Sequence, residues 1–268
     1  MAPWLRGAVA GLAAPQLLGS VADGRTHLRV PVSQELSLDL LEASLSEQEQ
    51  LVEEALEEPT NGAESDPYGL VLWPAAQVAA AALVALLKAR APAEKRGSKR
   101  RILELGCGTG LCSLAAAAES SGAEVVATDY RAEPLELLQQ ARHLNERRLG
   151  RRLAIRCQNL DFVNQRLPAA DFVVAADLLY LRSTSEALAK GCLEALKGGA
   201  QVLVGDTGRP GRGAFLRRLQ RELKVQVDFE QLHGWSLALP RHELIARQAP
   251  EPRPLPVGLM HLRPQDLA

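Results

Sequence analysis

No lysine or arginine occurs within residues 30–87, where acids accumulate, and a basic cluster of Lys88, Arg90, Lys95, Arg96, Lys99, Arg100 and Arg101 follows directly. The formal net charge is −1, which gives the chain as a whole no long-range attraction to nucleic acid. The basic cluster reads as a solvated loop between a helix and a strand. Cysteine is scarce as well: Cys107, Cys112, Cys157 and Cys192 show neither C-x-x-C nor paired spacing, which argues against a disulfide framework and against zinc. Cys107 has no histidine in a recognisable partner position and reads as a small residue, not a nucleophile. No apolar run reaches membrane-spanning length without a charge, glycine or proline, so a soluble protein with neither metal nor membrane partner is expected. No internal repeat is visible. What remains is 47% hydrophobic content in 268 residues, enough for one large domain or a domain with an appendage.

Residues 1–32 set Arg6, Arg25 and Arg29 against Asp23 and are rich in Ala, Gly and Leu. That composition suits either an organellar transit peptide or a disordered terminus, which leaves cytoplasm, mitochondrion and plastid as addresses. Residues 33–66 are acidic, and Leu41, Leu45, Val52 and Leu56 recur at helical spacing, predicting a helical extension laid on the main domain. Turn formers at 59–67 lead to Trp73-Pro74, where proline suits the first position of a helix over 75–89. From Arg101 onward strand-like and helical runs alternate, predicting an α/β fold over 67–249 with a doubly wound, mostly parallel, seven-stranded sheet. The strands are expected at 101–105, 124–129, 153–157, 171–177, 200–206, 225–230 and 242–246, with helices over 111–120, 134–147, 183–196 and 213–222. Residues 250–268 carry Pro250, Pro252, Pro254, Pro256 and Pro264 and read as an irregular tail.

The chemistry concentrates at 101–110, Arg-Ile-Leu-Glu-Leu-Gly-Cys-Gly-Thr-Gly, a short strand running into Gly106, Gly108 and Gly110 and then a helix. Such a turn lets backbone approach a ligand closely. The spacing is G-x-G-x-G, not the G-x-G-x-x-G that holds a dinucleotide pyrophosphate, and Glu104 precedes it, which favours a cationic cofactor. Asp129 ends the next apolar run, where a carboxylate can accept bonds from both ribose hydroxyls. A nucleoside carrying a positive sulfur, S-adenosyl-L-methionine, satisfies all three features.

In a doubly wound sheet ligands bind beyond the carboxyl ends of the strands. Asp161-Phe162 follow the third expected strand, and there an acid can bond an adenine amino group while the aromatic covers its ring, or both can belong to an ordinary turn. The fourth ends in Asp177-Leu-Leu-Tyr180, across the switch point from the glycines, where both polar residues can face the transferred group. The fifth ends in Gly205-Asp206-Thr207-Gly208-Arg209-Pro210.

Glu104 to Gly110, Asp129, Asp161-Phe162 and the D-x-x-Y of Asp177 to Tyr180 resemble the seven-strand S-adenosyl-L-methionine-dependent methyltransferases, and within them the protein-lysine methyltransferases with a D-x-x-Y motif. Asp66-Pro67-Tyr68, Trp73-Pro74 with Gln77, and the 205–210 turn are similar to the electron-transfer flavoprotein β subunit methyltransferases, whose members carry D-P-Y, W-P-G-G-Q and G-D-P-G-R-P. This chain has Ala75 and Ala76 for the two glycines and Thr207 for the proline. The resemblance implies methyl transfer to a lysine of a protein substrate. Asp177 would hold the incoming lysine and also border the cofactor, and Tyr180 would narrow the channel. Trp73 would pack on the cofactor, shape the channel or simply anchor the core. The competing readings are another nitrogen acceptor (a small molecule, arginine or nucleic acid) and a cofactor-binding assembly factor without turnover. Base methylation is disfavoured, because Leu178 and Leu179 stand where an N/D-P-P-aromatic turn has prolines and no nucleic-acid module is evident.

Overall fold

The computed structural model describes residues 7, 9, 11–22, 24–44, 46–50, 53, 67–89, 99–120, 122–235 and 255–268. The main sheet has seven strands: β4 (Arg101–Leu105), β5 (Glu124–Asp129), β6 (Ile155–Asn159), β7 (Phe172–Ala176), β8 (Gln201–Asp206), β9 (Glu230–Trp235) and β10 (Leu255–Leu262), in the order β6-β5-β4-β7-β8-β10-β9. β4 through β8 run parallel, and β10 is antiparallel to both β8 and β9. Helices α1 (Pro74–Ala89), α2 (Leu111–Glu119), α3 (Ala132–Leu149), α4 (Arg182–Lys197) and α5 (Arg212–Gln220) cover its faces. This is the α/β doubly wound sheet expected from the alternation.

Alternation along the strands sorts the core into two faces. Ile102, Val125, Ala127, Phe172, Val174, Leu203, Val257 and Leu259 face α1, α2 and α3, while Leu103, Leu105, Val126, Val173, Ala175, Val202, Val204 and Met260 face α4 and α5. Near-continuous apolar strands are what burial on both faces requires. Helix α1 opens with Pro74, whose missing N–H costs nothing at a first helical position. Its run of alanines lets it settle close to the sheet: a Cβ on Gly205 of β8 would stand 2.9 Å from the Ala75 carbonyl oxygen.

Three expectations are corrected. Within the segment expected to be helical, Ser37–Glu42 is instead a strand, β3, which forms an antiparallel three-stranded sheet with β1 (Gln16–Ser20) and β2 (Thr26–Pro31), and helical backbone within 33–66 is described at 46–50 and 53. The period-two pattern of Leu38 and Leu40 around Asp39 outweighs the helical spacing of Leu41 and Leu45, and Asp39 faces Arg29 across the ladder. β1 and β2 lie within the 1–32 segment. Asp39 fastens the sheet to α3: its N–H donates to Asn145 Oδ1 at 2.9 Å, Asn145 Nδ2 returns a bond to its carbonyl at 2.7 Å, and its carboxylate accepts Arg148 Nε at 3.0 Å.

The second correction is the tail. Residues 255–262 form β10 at the interior of the sheet, despite the prolines. Pro256 sits where the pairing with β9 slips by a bulge, outside the Gly258–Leu262 ladder with β8, so no ladder N–H is lost. The expected strand at 242–246 lies outside the described residues. Third, the expected strand at 225–230 forms instead at Glu230–Trp235, and 225–229 is a loop that buries Phe229 and leaves Val225 40% exposed.

Because β10 is interior, Leu259→Ala should destabilise the protein by about 2–5 kcal/mol, read by urea unfolding; a loss within about 0.5 kcal/mol would mean the segment is peripheral.

Candidate active site

The strand ends β4, β5 and β7 build one rim. Beyond β4, Gly106, Gly108 and Gly110 all take positive φ (54°, 50° and 77°), which carries the chain through a tight turn into α2. The turn is seated against protein on more than one side: a Cβ at Gly108 would lie 3.1 Å from the Gly69 carbonyl oxygen, and one at Gly106 2.6 Å from Leu178 Cδ2. Asp129, 5% exposed at the end of β5, accepts the N–H of Gly108 at 3.1 Å through one carboxylate oxygen and that of Arg131 at 3.2 Å through the other. The second strand end is thereby tied to the glycine turn.

Glu104, near the end of β4, is buried. Gly110, the residue before α2, offers no side-chain cap, and Glu104 Oε2 accepts the Ser113 N–H at 2.8 Å, capping α2 from the strand. Burial pushes its carboxyl up to about 7, against the N–H groups of Ser113 and Cys112 that favour the ionised form. Asp161 and Phe162 lie one strand further out, beyond β6. Asp161 accepts Val163 N–H at 3.0 Å and Asn164 Nδ2 at 2.6 Å within its own turn, and Phe162 is half-buried against the core under α4 and α5.

Asp177 is the centre of a second cluster. It is 5% exposed and, among the described residues, is the one non-glycine with positive φ, 55°. One oxygen accepts the Ala75 N–H at the start of α1 at 3.0 Å; the other accepts both the N–H and the Oγ1 of Thr207 beyond β8, at 3.0 and 2.6 Å. Burial raises its pKa, opposed first by the Thr207 bond and then by the Arg209 charge. Arg209 Nε stands 3.6 Å from this carboxylate and its guanidinium lies 4.3 Å from the centroid of the Trp73 ring. Tyr180 is half-buried three residues on. Leu178, between Asp177 and Tyr180, is the residue that meets Gly106, so the two clusters share a wall.

Sequence reasoning left Thr207, Gly205 and Arg209 without roles, although all three lie in the glycine-bearing turn that it singled out. A glycine inside a strand marks close backbone approach, and that signal at Gly205 was present. Gln77 holds the carbonyls of Ala13 and Pro31 at 3.0 and 2.8 Å, a bond to the N-terminal sheet and not to the site. All four cysteines are free thiols; burial pushes Cys107 and Cys112 up and Cys192 up to about 12, which keeps them protonated. Among the described residues no group of three or more His, Cys, Asp or Glu could hold a metal ion, and no helix is long and apolar enough to cross a membrane.

The strand order, the glycine turn and the acid ending β5 define a class I methyltransferase architecture, and these residues fit S-adenosyl-L-methionine as cofactor. A protein crystallised with SAH, SMU.776, superposes with a TM-score of 0.51 at 12% identity, over 92% of this chain and 58% of that one, a likeness of fold alone. The lysine methyltransferase family matches residues 55–222, and the chain belongs to that family. It is 31% identical over 150 residues to the electron transfer flavoprotein beta subunit lysine methyltransferase of Danio rerio, covering 54% of this chain and 51% of the fish protein, so it matches about half the length of that relative.

The Glu104 cap sets a pH dependence. A carboxyl whose folded pKa is about 7 against an ordinary 4.5 holds its proton longer in the folded state, so stability falls as pH rises from the lower value to the higher. The fall should be roughly 3 kcal/mol, and Glu104→Gln, which keeps the acceptor and never ionises, should remove it. Urea unfolding of both proteins across that window measures the difference, and parallel profiles would place the titration elsewhere.

Proposed function

We propose that this chain is an S-adenosyl-L-methionine-dependent protein-lysine N-methyltransferase, with the acceptor amine received beside Asp177 and Tyr180. The observation that carries the reading is the wall at Leu178, which sets the buried acid of β7 one residue from the contact with the cofactor turn. Asp129, held at the end of β5 by the Gly108 and Arg131 N–H groups, is the acid placed to meet the ribose hydroxyls. Asp161 and Phe162 serve the adenine, and Trp73 borders the acceptor slot.

When bound, the cofactor supplies an electrophilic methyl group on a positive sulfur. The lysine amine would need to be unprotonated to take up that methyl group, and the surplus proton on nitrogen would pass to solvent. The reference pKa of that amine, about 10.4, falls when the ammonium is desolvated and set near another positive charge. Asp177 orients the incoming group by a charge-assisted bond, and Tyr180 narrows its approach. Neither acts as a general base; the rate comes from alignment and from exclusion of water. The name of the fish relative makes the electron-transfer flavoprotein β subunit the first acceptor to test.

Incubation of the protein with labelled cofactor and that subunit, followed by peptide mapping, should place label on lysine; label on arginine or on nucleic acid instead would reject the reading. Asp129→Ala should weaken cofactor binding about tenfold or more by titration calorimetry, the loss of one charge-assisted bond or more. Asp177→Asn, which keeps the side chain's shape and one acceptor oxygen, should bind cofactor within about threefold of the parent yet lose transfer; retained turnover would move the acceptor site away from β7.

A further inference from the structure

We propose that Arg209 is a resident cation standing in the place of the acceptor ammonium, and that it must swing out for the substrate lysine to enter. The inference rests on reading Asp177 as the acceptor-facing acid. An aromatic face opposite a buried carboxylate is a site for a cation, and here the chain fills it with its own guanidinium: 4.3 Å from the Trp73 centroid and 3.6 Å from Asp177 Oδ1.

The fit is a loose one. Arg209 Nε is buried and donates to no acceptor among the described residues, and 3.6 Å is too long for a hydrogen bond. Arg212, on the same turn, shows what a structural arginine looks like here: its Nε donates to Asp206 Oδ2 at 2.6 Å and its Nη2 to the Asp206 carbonyl at 2.9 Å. The Arg209 side chain is 27% exposed, which gives it a route to water, whereas that of Asp177 is 1% exposed.

Asp177 also does not need Arg209 to stay in place. It keeps the Ala75 N–H, the Thr207 N–H and the Thr207 hydroxyl when the guanidinium leaves. A primary ammonium is compact, carries three rotatable donors and can approach the carboxylate more closely than a guanidinium already lying over a ring. Displacement therefore exchanges a poorly bonded cation for one that bonds directly, and a side chain unable to make that bond does not open the slot. Arg209 thus acts as a positioning and selectivity residue.

The probe is n-butylammonium, a lysine side chain without its backbone, titrated at constant ionic strength with and without SAH. It should bind Arg209→Ala and Arg209→Gln at least about tenfold more tightly than the parent protein, the equivalent of about 1.4 kcal/mol, and Asp177→Asn added to either variant should erase the gain. Equal affinity in parent and variants overturns the proposal, as does a gain that survives Asp177→Asn. If both variants fail to fold while Arg209→Lys folds, Arg209 is a strut and the proposal falls. SAH binding is read in the same titrations: its failure alongside a butylammonium gain removes the methyl-transfer reading and leaves the occupied slot standing.

Discussion

The carboxylate of Asp177 holds the site together by satisfying donors from two segments far apart in the chain. It accepts the N–H of Ala75, a donor at the start of α1 that has no partner within its helix, and both donors of Thr207, just past β8. Burying a carboxylate this deeply is unfavourable unless it is thoroughly bonded, and its raised pKa records the burial. The left-handed backbone at Asp177 adds a further cost for a residue with a Cβ. Both are offset because the surrounding segments fix the geometry from several sides. Removing the acid would free the start of α1, the turn bearing Arg209 and the placement of Trp73 together.

Small residues make that convergence sterically possible. Gly205 admits the first turn of α1 onto β8, and Gly108 admits the 67–70 turn onto the glycine loop. In both cases the neighbour is a backbone carbonyl, which cannot move aside as the end of a flexible side chain can. Both glycines therefore set the distance between elements, because backbone can come close only where no Cβ intervenes.

This explains which parts were legible in the sequence. β4, β5, β7 and β8 announce themselves because each is a short apolar run ended by a polar or glycine residue, and burial on both faces leaves little other option. The polar residues closing them, Asp129 and Asp177, were legible for the same reason. β10 was hidden because proline count says nothing of register: Pro256 is tolerated only through a bulge, and that depends on pairing with β9. β3 was hidden because Leu38, Leu40 and Leu41 fit two periods, and Arg29 on a neighbouring strand decides between them. The bond from Glu104 to the start of α2 was hidden because local sequence does not disclose that this helix lacks a cap of its own. The 205–210 turn that bears Arg209 was legible, but its position over Trp73 is a tertiary fact joining residues on α1's approach and β8's exit.

The buried acids of this rim differ in how they are satisfied, and the difference separates scaffold from site. Glu104 meets backbone N–H groups at a helix start, an arrangement that tolerates no exchange because those donors cannot leave. Asp206 binds the N–H groups of Gly208 and Arg209 and the fork of Arg212 at hydrogen-bonding distance, which fixes the turn. Asp177 alone combines immobile donors, which hold the carboxylate, with a cation that touches it at salt-bridge range and no closer. An acid held only by a mobile cation would lose its orientation when that cation moved. Holding the carboxylate with one set of groups while leaving its charge to another is what the proposed exchange of cations requires of a buried acid.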